Sequence, residues 1–337
     1  MLLANRCESA IVNISDDHMA RLIEVARAYY LHNLTQSDIA RSLGISRSMV
    51  SRELTMAREM GIVEIRIKDP RQILTTHEQH ILRLFPHLLD IVIAPTFSEE
   101  PSAIRAMIGR FAANYLTVHL KPQQRLVLGC GRTLRAVVDA LPRQPVRGIE
   151  IVQAMGNIGH EAHGIDYNEI ARQAADAFSG RVYYVSAPAI LGKRAGKARD
   201  FVEANPVLSR ALNLARQADV MAVGLGSLES DQLYAQAGLI DADELDHLRG
   251  SAVGDICGRF FDRNGDEVIA SFADRTIGIA LSDLRQAPVS IGIAGGTDKV
   301  EPLIGALRGE YINVLITDER TAQRLMEMVG HETSEVA

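Results

Sequence analysis

From about residue 88 onward, short apolar runs alternate with amphipathic stretches, and that alternation leaves few folds open. The runs fall at 91–94, 125–129, 149–154, 182–185, 219–224, 289–294 and 312–317. Between them, 103–120, 132–141, 167–178 and 298–308 carry apolar residues at helical spacing. A strand that is apolar on both faces must be covered on both, and helices between successive strands supply the cover. The pattern therefore predicts an α/β body built on a doubly wound, mostly parallel sheet. Asn264-Gly265, between 260–263 and 267–270, has the chemistry of a type I′ hairpin turn inserted into that plan. At 337 residues and 47% hydrophobic, the chain is long enough for two cored domains.

The N-terminal part has a different texture. Residues 1–14 read as a loosely ordered leader and 16–31 as a first helix, with Met19, Leu22, Ile23, Ala26 and Tyr30 as its buried stripe. In 35–53, Thr35 with Asp38 resembles a capping box, and Ile39, Ala40 and Leu43 share a helix face. Gly44 ends that helix, and Ser46 can cap the next. There Val50, Leu54 and Ala57 lie on one side, with Arg47, Ser48, Ser51, Arg52 and Thr55 opposite. Short hydroxyls between two arginines suit the major groove of DNA; a solvated helix pair is the bland alternative. After Gly61, Val63, Ile65 and Ile67 alternate with Glu64, Arg66 and Lys68, which predicts a wing strand. The expected domains are a winged helix-turn-helix over 15–69, a helical connector over 70–87 and a body over 88–331. The connector's Ile73, Leu74, Ile81, Leu82 and Leu84 need a partner, which a second subunit could supply.

Charge follows the same division. The net charge is −6, yet residues 18–68 hold eight Arg or Lys against five acids. A basic head on an acidic body confines nucleic-acid binding to one end. The three cysteines, Cys7, Cys130 and Cys257, show no metal spacing and read as free thiols. No apolar run approaches the roughly 18 residues of a membrane span, so a cytoplasmic protein is expected.

Several predicted strands run straight into glycines. Gly129-Cys130-Gly131-Arg132-Thr133, Gly156-Asn157-Ile158-Gly159, Gly224-Leu225-Gly226-Ser227 and Gly295-Gly296-Thr297-Asp298-Lys299 all follow such runs. In an open α/β sheet, the strand C-termini border the crevice where ligands bind. Glycine lets backbone approach a ligand, and a following helix offers free amides to an anion. Any one such loop is more often just a tight turn; four on one edge are less easily dismissed. The dinucleotide fingerprint fails at Leu134, where its third glycine would stand, and the Walker pattern is absent. Asp255, Asp262, Asp266 and Asp274 flank the hairpin and read as turn and surface acids. His160 and His163 lack ligand spacing for a metal. Among only five lysines, Lys193 reads as solvated, and Lys299 is the one with reason to face the crevice. No cofactor or metal site is expected.

The stretches QSDIARSLGISRSMVSRELTMAREMGIVEIRI, GCGRTL, GLGS, AVGDICGRFFDRNG, AGGTDK and NVLITDERTA together resemble the SorC family of bacterial sugar-responsive transcriptional regulators. The resemblance runs from about Met19 to Leu325. It implies a body similar to sugar-phosphate isomerases and deaminases, used as a sensor. It also places Gly131, Arg132 and Thr133 at the ligand's phosphate or hydroxyl end, with Lys299 nearby and Gln153, Asp255 and Arg275 as further effector contacts. Cys130 departs from the aromatic residue such proteins often carry there. On this basis Ser46, Arg47, Ser48, Ser51 and Arg52 are expected to face operator DNA, with Gln36 and Arg66 on the backbone, and the chain to be a dimer or tetramer. Two rivals remain at this point. One is an active sugar-phosphate isomerase or deaminase carrying a DNA-binding head, for which Asp255 and Asp298 are available bases. The other makes the body a ligand-free dimerisation module.

Overall fold

The computed structural model describes residues 16–60, 62–63, 70–159, 166–228 and 233–335. The chain divides into two compact units between Asp69 and Pro70.

In the N-terminal unit, helices α1 (Asp16–Tyr30), α2 (Gln36–Leu43) and α3 (Arg47–Glu59) pack together. The Thr35 hydroxyl oxygen accepts from the Asp38 amide to start α2, and Gly44, at φ +64, ends it in the left-handed conformation. Ser46 caps α3 by accepting from the Met49 amide at 3.2 Å. Leu22, Val25, Ile39, Val50, Leu54 and Ala57 form the core. Val25 takes a central place that the expected stripe did not include, while Met19, Ile23 and Tyr30 are half-buried. Glu53 is buried too, and Arg21 Nε donates to it at 2.7 Å, which lets the carboxylate stay at that depth. The predicted wing lies outside the described residues beyond Val63.

The body opens with α4 (Pro70–Leu84), β1 (Asp90–Ala94), α5 (Pro101–His119), β2 (Arg125–Leu128) and α6 (Arg132–Asp139). Next come β3 (Glu150–Gln153), α7 (Tyr167–Phe178), β4 (Arg181–Tyr183), α8 (Ala198–Glu203), α9 (Pro206–Arg216) and β5 (Val220–Gly224). An insertion follows: β6 (Gly226–Ser227), α10 (Leu233–Gln236), α11 (Ala242–Asp246), β7 (Gly254–Ile256), β8 (Arg259–Phe261) and β9 (Glu267–Val268). The chain closes with α12 (Leu281–Gln286), β10 (Val289–Ile293), α13 (Val300–Arg308), β11 (Val314–Asp318) and α14 (Glu319–Glu335). The seven predicted strands form one sheet in the order β1-β11-β10-β5-β2-β3-β4, and every pairing in it is parallel. The insertion makes a separate antiparallel sheet, β6-β7-β8-β9.

Two expectations need correction. The turn at Asn264-Gly265 is not type I′, since only Gly265 (φ +87) has positive φ. Phe261 pairs with Glu267, leaving a five-residue loop closed by Gly265 N–H donating to Asp262 O at 3.1 Å. In addition, the C-terminal half of the α4 stripe finds its partner within its own body. There α4 packs against α14 and β1 with Ile81 fully buried and Leu82 and Leu84 against the core, while the side chains of Ile73 and Leu74 lie outside those described. Among the described residues no helix is long and apolar enough to cross a membrane.

Helices α5 and α6 pack together, and a Cβ added at Gly109 of α5 would stand 2.7 Å from the Ala136 carbonyl carbon on α6. Gly109→Val should therefore destabilise the body by about 1–3 kcal/mol, as overpacking does. Thermal melting reads this out, and an unchanged midpoint would show that the two helices can part without cost.

Candidate functional site

The order of the sheet decides where a site can form. After β2 the chain winds outward through β3 and β4; after β5 it winds the other way through β10 and β11. Strands β2 and β5 are neighbours, so the winding direction reverses between them. At such a switch point the loops beyond adjacent strand ends diverge and leave a crevice. A cavity of about 670 Å³ opens there. It is lined by Cys130, Gly131, Arg132 and Thr133 after β2, Gly224–Gly226 after β5, and Gly295–Lys299 after β10.

Glycines allow the approach. Gly131 has φ +123, a conformation costly for any side chain, and a Cβ there would point into open space. It stands at the N-cap of α6 without a capping side chain, so the start of the helix is a place for an anion or hydroxyl. Arg132 and Thr133 lie in that first turn. Across the cavity, Lys299 is held with its side chain only 12% exposed and its Nζ 3.7 Å from Asp298 Oδ2.

The rest of the lining is mixed. Arg105 and Arg320 add two cations; Glu99, Asp255, Asp298 and Asp318 add four acids. Glu99 pairs with Arg320, whose guanidinium lowers the Glu99 carboxyl from its ordinary range. Asp255 Oδ2 accepts from the Tyr234 hydroxyl at 2.9 Å and from the Gly258 amide at 3.0 Å. Burial first, then the Asp255 charge, pushes the Tyr234 phenol well above its usual value. Met155, Ile158, Leu225 and Cys257 supply apolar wall. This combination fits a small polyhydroxylated ligand with an anionic or strongly polar end.

The structure brings together Gly131, Arg132, Thr133, Asp255 and Lys299 and leaves out two of the expected contacts. Gln153 is not on the cavity. Its Nε2 donates to Asn168 Oδ1 at 3.0 Å and its Oε1 accepts from the Val185 amide at 2.8 Å, so it ties β3 to α7 and to the segment after β4. Arg275 is also elsewhere, paired with Glu244 and donating to Leu191 O at 2.6 Å. Both are polar side chains that bind their own fold. Lys193 is exposed but paired with Asp241. Glu99, Arg105, Asp318 and Arg320, which the glycine pattern did not single out, reach the cavity from the loop after β1, the start of α5, the end of β11 and the start of α14. His160 and His163 lie outside the described residues. Among those described, no group of three His, Cys, Asp or Glu is placed to hold a metal.

On the N-terminal unit, Arg47, Ser48, Ser51, Arg52 and Thr55 are exposed along α3, and Gln36 is half-buried at the start of α2. The Ser46 hydroxyl is occupied with the cap and with Ser48 Oγ at 2.9 Å, so its first task is to place the helix. Arg66 lies outside the described residues.

The chain matches the sugar-binding domain family model over residues 72–327. It is 34% identical over 306 residues to the deoxyribonucleoside regulator of Bacillus subtilis, covering 90% of this chain and 96% of that one. It is 30% identical over 328 residues to the sorbitol operon regulator of Klebsiella pneumoniae, covering 93% and 99%. The transcriptional regulator LsrR of Escherichia coli is 33% identical over 324 residues, covering 93% and 97%. The crystal structure of the full-length Klebsiella sorbitol operon regulator matches with a TM-score of 0.71, over 93% of this chain and 100% of that one. Fold, cavity and relatives define a transcriptional regulator with a sugar-binding body. The chain belongs to the SorC family of sugar-binding transcriptional regulators.

Cys130 sits half-buried on the cavity wall, and the protein around its thiol pushes the pKa up to about 12. A thiol raised in this way is neutral at any physiological pH and gains nucleophilicity only as pH climbs toward that value. Iodoacetamide at pH 8 should therefore label Cys130 at less than about a tenth of the rate of free cysteine. Rapid labelling, followed by mass spectrometry, would contradict the raised thiol pKa.

Proposed function

We propose that the protein is a sequence-specific DNA-binding regulator of a carbohydrate-utilisation operon, controlled by a sugar, polyol or sugar phosphate in the switch-point cavity. The observation that carries this is the convergence of Arg132, Thr133 and Lys299, from two glycine-rich loops, on one hollow. The polar end of the effector meets the first amides of α6, Arg132 and Lys299, and its hydroxyls reach Asp255. The N-terminal unit acts as a winged helix-turn-helix. Arg47, Ser48, Ser51 and Arg52 face base edges, while Gln36 and Arg66 contact phosphates.

One head covers too little DNA for useful specificity, so the working form in the cytoplasm is a homo-oligomer, a dimer or tetramer, on a pseudo-palindromic operator. The effector changes operator affinity only as far as it binds the two states of that oligomer unequally. The isomerase or deaminase alternative is not adopted. Asp255 is engaged by Tyr234 and Gly258, which supports a positioning hydrogen-bond acceptor over a base poised beside a substrate C–H. The relatives named above are regulators, which points the same way.

A thermal-shift panel of pentitols, hexitols, sugars and their phosphates should contain at least one compound that raises the melting temperature and alters operator binding in a gel shift. Arg132→Ala and Lys299→Ala should each weaken that compound by about tenfold or more, the scale of one lost charge-assisted contact. A panel without any stabilising compound would instead support a ligand-free dimerisation module. Arg52→Ala should weaken operator binding by about 1–3 kcal/mol if its guanidinium grips a base; wild-type affinity would remove Arg52 from that role.

A further inference from the structure

Asp318 ends β11, is hydrogen-bonded to the loops after β1 and β10, and is only 2% exposed. Its Oδ1 accepts from the amides of Arg320 at 3.1 Å and Thr321 at 3.2 Å, which caps α14. The same oxygen accepts from the Thr96 hydroxyl, in the loop after β1, at 3.2 Å. Its Oδ2 accepts from the Thr321 hydroxyl and, at 2.9 Å, from the amide of Gly296 in the loop after β10. A helix cap needs one oxygen and one or two amides. Here the second oxygen is given to the loop that carries Lys299. The fit is tight: a Cβ on Gly295 would stand 2.6 Å from Asp318 Oδ2. Gly295, Gly296, Lys299 and Asp318 itself all line the cavity.

The cavity loop and the first turn of the C-terminal helix therefore share one buried acceptor. Helix α14 in turn packs on α4, which begins at Pro70, directly after the N-terminal unit in the chain. We propose that Asp318 is a positioning residue. It holds the Lys299 loop in its ligand-binding form and passes occupancy of the cavity to α14 and, through it, to α4. The proposal rests on the sensing function stated above. A ligand anion drawn to Lys299 moves the Gly296 amide relative to Asp318, and hydrogen bonds that share an acceptor polarise and reposition one another. Packed helices respond to such a shift as rigid elements with few alternative arrangements.

Asp318→Asn in the full-length protein tests this, because the isosteric amide keeps one acceptor oxygen and turns an NH₂ toward either Gly296 or the α14 cap. Hydrogen exchange without ligand should speed up by about fivefold or more together at 294–299, 319–323 and 76–84, as in a shared opening unit. Residues 125–139 should keep wild-type protection. Faster exchange confined to 319–323 would mean an ordinary lost cap and would overturn the proposal. If Asp318→Asn does not fold, Thr321→Val removes the hydroxyl that joins Asp318 and Gly296, and the same pattern is expected at smaller amplitude. Wild-type exchange at 294–299 and 76–84 in that variant is the overturning result.

A second readout uses sorbitol 6-phosphate and 2-deoxyribose 5-phosphate as probes. Because Asp318 also holds the Lys299 loop, Asp318→Asn should bind more weakly any probe that changes wild-type operator affinity. At probe concentrations that saturate the variant's own melting-temperature rise, operator binding should no longer change. Retained coupling overturns the relay. If neither probe acts on the wild type, that failure belongs to the sensing function, and the exchange pattern still decides the role of Asp318.

Discussion

The parallel pairing of all seven strands of the main sheet is the constraint on which everything else depends. Because neighbouring strands run the same way, each must be followed by a crossover, and all strand C-termini fall on one edge. The loops that follow β2, β5 and β10 are thus forced into proximity, although they lie far apart in sequence. Reversal of the winding between β2 and β5 keeps that edge from closing over. A hollow for a ligand follows from the topology before any particular side chain is considered.

The side chains then decide what the hollow accepts. Gly131 puts no side chain over the start of α6, Arg132 and Lys299 bring positive charge from two loops, and Asp255 offers an acceptor held by Tyr234 and Gly258. Both cavity thiols have pKa values raised by burial, so they act as neutral wall rather than as nucleophiles. These groups gather at one place, the C-terminal edge of the main sheet, to which the insertion brings Asp255 and Tyr234.

Much of this was legible in the sequence, because the signals involved are local. Each of the seven apolar runs became a strand, since only a buried parallel strand needs that pattern, and Gly131-Arg132-Thr133 and Lys299 were readable as strand-end loops leading into helices. Gln153 and Arg275 could not be placed that way. Whether a polar side chain meets a ligand or its own fold depends on partners such as Asn168, Val185 and Glu244, which tertiary structure alone brings near. Glu99, Arg105 and Arg320 were missed for the same reason. Asp318 left a trace, because Asp-Glu-Arg-Thr at the end of an apolar run is an N-cap pattern, but its second bond to Gly296 has no local signature. The Asn264-Gly265 turn shows the opposite error, in which a strong dipeptide preference gave way to a longer loop set by the Phe261–Glu267 register.

The central claim is that a carbohydrate effector occupies the crevice between the loops after β2 and β10. A crystal structure of the full chain grown with its most stabilising panel compound tests this most directly. The account predicts that the compound's polar end lies within hydrogen-bond distance of the first amides of α6 and of Lys299, with a hydroxyl on Asp255. A compound bound elsewhere, such as along the shallow groove beside Arg210 and Asn213 on α9, with only solvent at the switch point, would contradict it.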